Sequence, residues 1–190
     1  MPLTPAVPRR AIHGRVLEMR AYERDDGLFD VDAQLVDRKP FDFYARNRPS
    51  PLPAGEPLHD LSIRLTFDRG GTVRAVEAAA DATPHVLCRE AVTTLQSMVG
   101  ERIGRGWSSK VRERLSGKAS CNHLMEMLLP IATTAFQGFM SMDAHQPRNA
   151  DEAHAAERLD ACYAYDRRRE LVLRFWPALH RPFDETAPDS

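Results

Sequence analysis

The 190-residue sequence contains no apolar run approaching the roughly 20 residues that a membrane-spanning helix needs. Its first ten residues, MPLTPAVPRR, hold no basic start followed by an apolar block, so no secretory leader is expected there. Neither sign of charge dominates. Lys and Arg number 26 against 27 Asp and Glu, for a net charge of -1, which argues against a general nucleic-acid binder. The arginines alternate with acidic residues, as on solvated mixed faces, rather than gathering into a stripe. Cysteine is scarce and odd in number. Cys88, Cys121 and Cys162 make no disulfide framework and suit a reducing cytoplasm. No P-loop, GxSxG, HExxH or EF-hand pattern occurs. The "GRGW" run ending at Trp107 lacks the full GxGxxG pattern and follows no strand, so a dinucleotide site is rejected.

What is present is a normal globular balance, 43% hydrophobic and 28% charged, in a chain long enough for one core. The first half reads as strands and the second as helices. This predicts an α+β fold, an antiparallel sheet of about four strands packed against a helical C-terminal half. Residues 1–10 read as a flexible arm, 11–180 as a single domain and 181–190 as a flexible tail.

Asp26-Gly27 is a two-residue turn signal for a long hairpin, which would set Tyr22 opposite Val31, Arg20 opposite Ala33 and Glu18 opposite Leu35. The proline-rich run 40–57 reads as a connection or flap. The segment "LHDLSIRLTFD" is the clearest strand, with Leu61, Ile63, Leu65 and Phe67 on one face. Its partner is "TVRAVEAAA". Thr83 and Pro84 read as a helix start and Gly100 as its stop. A short helix follows Trp107. The longest helix follows Ser120 and contains Pro130. A further helix or helical turn is expected over 149–165, and "ELVLRFWP" reads as a returning strand.

Chemistry concentrates in three places. In "SCNHLMEML", Ser120 would cap the helix. Cys121 would then sit in its first turn, where the helix dipole favours a thiolate, and His123 would share a face with Glu126. These groups suit a nucleophile, a general base or metal ligands; a plain helix start with a structural cysteine fits the same pattern. His59 opens the best strand, on the side of Leu61 and Ile63, while Asp60 and Arg64 share the other side as an ion pair or as ligand contacts. At the hairpin, Tyr22 is a candidate catalytic group. Arg24 could clamp a carboxylate, and Asp37 and Lys39 read as an ion pair or as a positioned acid and amine. Trp107 reads as a lid over the core or a ring against a ligand.

The ordered set Tyr22, Arg24, Asp26–Leu28, Asp30, Leu35, Asp37, Lys39, then His59, Asp60, Arg64–Thr66, Asp68, then Pro84, Cys88, then Gly100, Ile103, Gly106, Trp107, Val111, Leu115, then Cys121, His123, Leu124, Glu126 resembles the bacterial family called domain of unknown function 2889. So does "LDACYAY" at Leu159–Tyr165. The resemblance implies a bacterial cytoplasmic domain. It supplies no catalytic role, though members of the family lie near genes of aromatic-compound catabolism.

Two functions are expected. The first is a small enzyme of lyase or hydrolase type. His59, His123, Tyr22 and Cys121 would be catalytic, with Arg24, Lys39, Arg64, Trp107 and Asp60 binding a small substrate. An aromatic, lignin-derived catabolite that loses formaldehyde by retro-aldol cleavage is one concrete version. No cofactor is needed, or a divalent metal is held by His59, Cys121 and His123. The second is a non-catalytic binding or assembly module. Expected partners are a small molecule and a second copy as a homodimer, with neither nucleic acid nor membrane.

Overall fold

Alternation of apolar and polar residues builds strands whose buried side faces one layer of helices. The computed structural model describes residues 3–44, 49–144 and 158–182. Four strands, β1 (Gly14–Glu23), β2 (Phe29–Arg38), β3 (Pro57–Phe67) and β4 (Val73–Ala82), form one antiparallel sheet in the order β1-β2-β3-β4. Successive rungs of its inner face read Glu23, Phe29, Phe67 and Val73; Ala21, Val31, Leu65 and Val76; Met19, Ala33, Ile63 and Ala78; and Leu17, Leu35, Leu61 and Ala80. The central strands are buried along this stripe. The outer face is polar, as expected of an antiparallel sheet covered on one side. With helices in the second half, this is the α+β architecture the sequence predicts.

The hairpin register differs by one residue from the sequence expectation. Tyr22 stands opposite Asp30, Arg20 opposite Asp32 and Glu18 opposite Gln34. The Arg24 N–H donates to the Leu28 carbonyl at 2.9 Å, and the Gly27 N–H donates to the Arg24 carbonyl at 3.1 Å. The loop is therefore three residues long, with Gly27 at φ +81° taking the left-handed position of a bulged type I turn. A slip of one residue exchanges the faces. Leu17, Met19 and Ala21 turn inward with the rest of the core stripe.

After β4, residues Val86–Met98 wind as 3₁₀ turns rather than an α-helix starting at Thr83. Thr93, Thr94 and Ser97 each donate a hydroxyl to the carbonyl three residues back, which favours the tighter turn. Thr83 instead donates its hydroxyl to the His85 carbonyl. The helix α1 (Trp107–Leu115) buries Trp107, Val111 and Leu115. The long helix α2 (Asn122–Ala144) carries Pro130 within it.

The course of α2 is fixed at both ends. Near its end, Phe139 packs edge-on to Phe29 and Phe67, at 4.7 and 5.4 Å between ring centres. At its start, the His123 ring packs against the His59 ring, tilted by 40° with centres 4.1 Å apart. From His123 to Phe139 is 16 steps, about 24 Å of helix. From His59 to Phe67 is 8 steps, about 26 Å of strand. The two spans match, so one helix covers the whole stripe.

The described residues fall into two compact units, residues 1–140 and residues 141–190; the span 11–180 drawn from the sequence covers both. In the second unit, "ELVLRFWP" is not a strand: Glu170–Phe175 is α3. Val172 and Trp176 are buried four residues apart while Leu173 and Phe175 stay exposed, which is the period of a helix. The helix or helical turn expected over 149–165 lies outside the described residues up to 157; within the described part, Tyr163–Tyr165 is a helical turn of 3₁₀ type. The arm residues 3–10 are exposed without regular structure. Residues 183–190 of the expected tail lie outside the described residues. Among the described residues no helix is long and apolar enough to cross a membrane.

Gly138 tests the seating of α2. A Cβ there would meet the Ala21 Cβ at 3.2 Å. Gly138→Val should overpack this contact and cost about 1–3 kcal/mol, measured by urea unfolding.

Candidate functional site

The apolar stripe ends in a polar rung. Arg15 of β1, Asp37 of β2 and His59 of β3 stand side by side in register, on the inner face, one rung beyond Leu17, Leu35 and Leu61. Arg15 grips Asp37 with two parallel bonds, Nε to Oδ1 at 2.7 Å and Nη2 to Oδ2 at 2.8 Å. His59 Nδ1 lies 3.0 Å from Asp37 Oδ2. His13, just before β1, brings Nε2 to 3.5 Å from Oδ1. The pairing of β2 with β3 shifts register immediately after Asp37, where the chain leaves for the Lys39–Gly55 connection.

The amino end of α2 closes over this rung. Ser120 does not cap it, because its hydroxyl is paired with Thr94 Oγ1 at 2.6 Å. The cap position falls to Cys121, whose carbonyl accepts the Met125 N–H at 3.0 Å. Its sulfur lies 3.8 Å from His123 Nδ1. His123 Nε2 lies 3.9 Å from Asp37 Oδ2. Glu126, one turn further, approaches Arg15 at 3.6 Å.

Protonation follows from these contacts. Burial pushes the Asp37 carboxyl up, but the Arg15 fork with the imidazoles of His13 and His59 outweighs it and holds the group below its ordinary value. An ionised Asp37 only accepts, so His59 donates from Nδ1 and keeps a lone pair on Nε2. Burial, and then the charge of His123, lower the His59 pKa. The bond to Cys121 raises that of His123 against burial. Cys121 is lowered in turn, by His123 first and by the backbone N–H groups of Leu124 and His123. Two imidazoles shifted in opposite directions, His59 down and His123 up, thus lie side by side with their rings tilted at 40°.

Of the candidates named from sequence, His59, His123 and Cys121 come together here. The others do not. Tyr22, Arg64 and Asp60 lie on the opposite face of the sheet. Arg64 forks Asp32, at 2.7 and 2.8 Å, rather than pairing with Asp60, which accepts from Gln34. Arg24 is taken by Asp26 at the hairpin tip. Lys39 lies over the Phe43 ring, while Asp37 is held by Arg15 instead. Trp107 is buried with its indole N–H donated to the Leu128 carbonyl at 2.8 Å, tying α1 to α2. Arg15 and His13 were missed by sequence reasoning, and Asp37 was given the wrong partner. The signal was available: Asp37 continues the inward alternation of Val31, Ala33 and Leu35.

Among the described residues, donor atoms of Asp37, His59 and His123 lie within 4.8 Å of one another, close enough to consider a metal ion. Cys121 is not of this set. Two imidazoles sharing one tetrahedral metal at about 2.1 Å would hold their ring centres about 5 Å apart. The ring centres here lie 4.1 Å apart, and Arg15 already bonds both carboxylate oxygens. The donor set fits proton transfer better than a cation.

The class is thus an α+β domain in which a four-stranded antiparallel sheet and the amino end of a helix enclose a His–Asp–Arg–Cys cluster. A family model, described as "Protein of unknown function (DUF2889)", matches residues 13–137. The chain belongs to that family, and the matched segment runs from His13 past Glu126, holding the whole cluster. Neither the curated proteins nor the solved structures provide a match.

Asp37→Asn should weaken the Arg15 fork and leave His59 without an anionic acceptor. Because Arg15 keeps part of its hydration, the expected cost is about 2 kcal/mol, or roughly 4–8 °C in Tm, read by calorimetry at neutral pH. The native carboxyl pKa lies below its ordinary value, so this difference is present above that value and fades as pH falls through the native pKa.

Proposed function

We propose that this protein is a small bacterial cytoplasmic enzyme that performs acid–base chemistry of lyase or hydrolase type on a small organic molecule. The observation that carries the proposal is the pair of imidazoles, 4.1 Å apart and pushed to opposite sides of their ordinary pKa. Two like groups driven apart by their surroundings provide a base and an acid at one pH. His59 is the base, held in its tautomer by Asp37, and His123 is the acid, held protonated by Cys121.

A formaldehyde-releasing retro-aldol cleavage of an aromatic, lignin-derived catabolite is one concrete reaction. His59 Nε2 takes the proton of a primary hydroxyl. The hydroxyl-bearing CH2 keeps both its C–H bonds and leaves as formaldehyde as its bond to the neighbouring carbon breaks, and the electron pair of that bond, delocalised into the aromatic system, takes a proton from His123. No electrons are gained or lost overall. Leu17, on the apolar rung beside the cluster, is 41% exposed and offers an apolar contact for a ring.

A second reading, a non-catalytic binding or assembly module, draws support from the opposite face. A broad hollow of about 620 Å³ lies there, lined by Arg20, Tyr22, Asp32, Arg64 and Glu77 among others. Its arginines are paired, Arg64 with Asp32 and Arg20 with Glu18, which suits a hydrated sheet surface more than a reaction site.

Turnover of a panel of lignin-type aromatics, followed by formaldehyde release, separates the two. His59→Ala and His123→Ala should each lower kcat by about 10²–10⁴-fold, while Tyr22→Phe and Arg64→Gln leave it near wild type. Wild-type turnover in both histidine variants refutes the assignment, and no turnover of any substrate favours the module. Chelator treatment should leave the rate unchanged.

The rate should also depend on pH in a bell shape. Activity needs His59 neutral, so the acid limb falls below the ordinary imidazole value of 6.5, and it needs His123 charged, so the basic limb falls above 6.5. Arg15, Asp37, His13 and Glu126 face the pair and are common to both limbs. Cys121→Ser removes the group that raises His123 and should move the basic limb to lower pH, with the acid limb moving little.

A further inference from the structure

We propose that β1 pairs antiparallel with β1 of a second copy of this chain, centred on Met19, joining two four-stranded sheets into one of eight. The strand is ten residues long, keeps regular register with β2 throughout and contains no proline. Among the described residues no backbone bond reaches its outer side. The other edge strand differs. There Val73 exchanges backbone bonds with Gly100 and Glu101, and Gln96 donates its side-chain amide to the Val76 carbonyl. Long regular edges are normally blunted, because their free N–H and C=O groups invite pairing. Apolar side chains on β1 remain open as well, Val16 at 64%, Leu17 at 41% and Tyr22 at 46% exposure.

Backbone direction and sequence agree on the register. The Arg24–Leu28 bond starts the β1–β2 ladder, and bonded pairs then alternate, so the N–H and C=O groups of Arg15, Leu17, Met19, Ala21 and Glu23 point outward. The sequence RVLEMRAYE, Arg15–Glu23, is self-complementary about Met19. Met19 meets the partner's Met19, and Leu17 meets the partner's Ala21. Glu18 faces the partner's Arg20, Val16 the partner's Tyr22, and Arg15 the partner's Glu23. The outward groups fall opposite outward groups in this register. Shifting it by one allowed step places Glu18 against the partner's Glu18, or Arg20 against the partner's Arg20. Like charges directly opposite destabilise a pair, so the charges on this edge reject the neighbouring registers while accepting this one. The pairing is isologous, as a two-fold dimer requires.

Sedimentation equilibrium of the full chain tests the pairing. The wild type should be a dimer. Glu18→Arg and Arg20→Glu, both at exposed positions, should each weaken it about tenfold or more, because each sets two like-charged pairs across the axis. The double variant Glu18→Arg/Arg20→Glu should return to within about threefold of wild type. Met19→Pro removes an N–H that faces away from β2, and should give a monomer with an unchanged circular dichroism spectrum. A wild type that stays monomeric at about 100 µM overturns the proposal. So does a dimer that neither single reversal weakens, or a double reversal that fails to restore association.

Discussion

The grip of Arg15 on the buried carboxylate of Asp37 is the constraint on which the site depends. A lone carboxylate at 1% exposure would cost several kcal/mol of lost hydration. Here every oxygen is engaged, and the guanidinium supplies the countercharge from the neighbouring strand. This compensation lets an inward-facing strand position be ionic at the end of an otherwise apolar stripe. It also sets the hydrogen bonding of His59. With the carboxylate fixed as an acceptor, the imidazole has one tautomer available and its other nitrogen is left with a lone pair.

Helix α2 converts this rung into a cluster. Its aromatic anchor at Phe139 lies at the Phe29 and Phe67 end of the sheet, and its length matches that of the strands, so its first turn falls over the polar rung. Capping and chemistry then coincide. Cys121 occupies the position where a serine or aspartate would normally satisfy the first backbone N–H groups. A sulfur in that role has its pKa lowered by His123 and the backbone N–H groups, and the same contact raises that of His123. A more ordinary capping residue would end the helix as well but would give His123 a different proton affinity.

The parts of the fold visible in the sequence are those set by local alternation. Leu61 to Phe67 show a period of two without interruption, and their face is the observed one. The hairpin register was not recoverable in the same way. Asp26-Gly27 satisfies both a two-residue turn and a three-residue bulged one, and these differ by one residue, which exchanges inside for outside. That exchange is also why Asp37 was assigned to Lys39: with β2 misplaced relative to β1, Arg15 is no longer its neighbour. His59 and His123 were legible from their places at a strand start and a helix start. Their convergence rests on the matched lengths of strand and helix, which no local window contains. Tyr22 and Arg64 were misleading because polar faces of sheets and polar sites draw on the same residues; pairing partners separate them, and those are long-range.

The inner and outer faces of the sheet illustrate why charge alone is a poor guide to function. Arg64 and Asp32 form as good a fork as Arg15 and Asp37, with bonds of equal length. The outer fork is hydrated and leaves nothing over, each charge answering one other. The inner carboxylate is sealed and answers more than one group at once, so its neighbours compete for it. Charge on one imidazole opposes charge on the other at 4.1 Å, and their partners differ: Asp37, beside His59, is shared with Arg15, while the Cys121 sulfur is directed at His123. The two imidazoles are therefore shifted in opposite directions, His123 up and His59 down. It is this unequal provision around a buried carboxylate, rather than the number of titratable residues, that distinguishes the cluster from the surface around it.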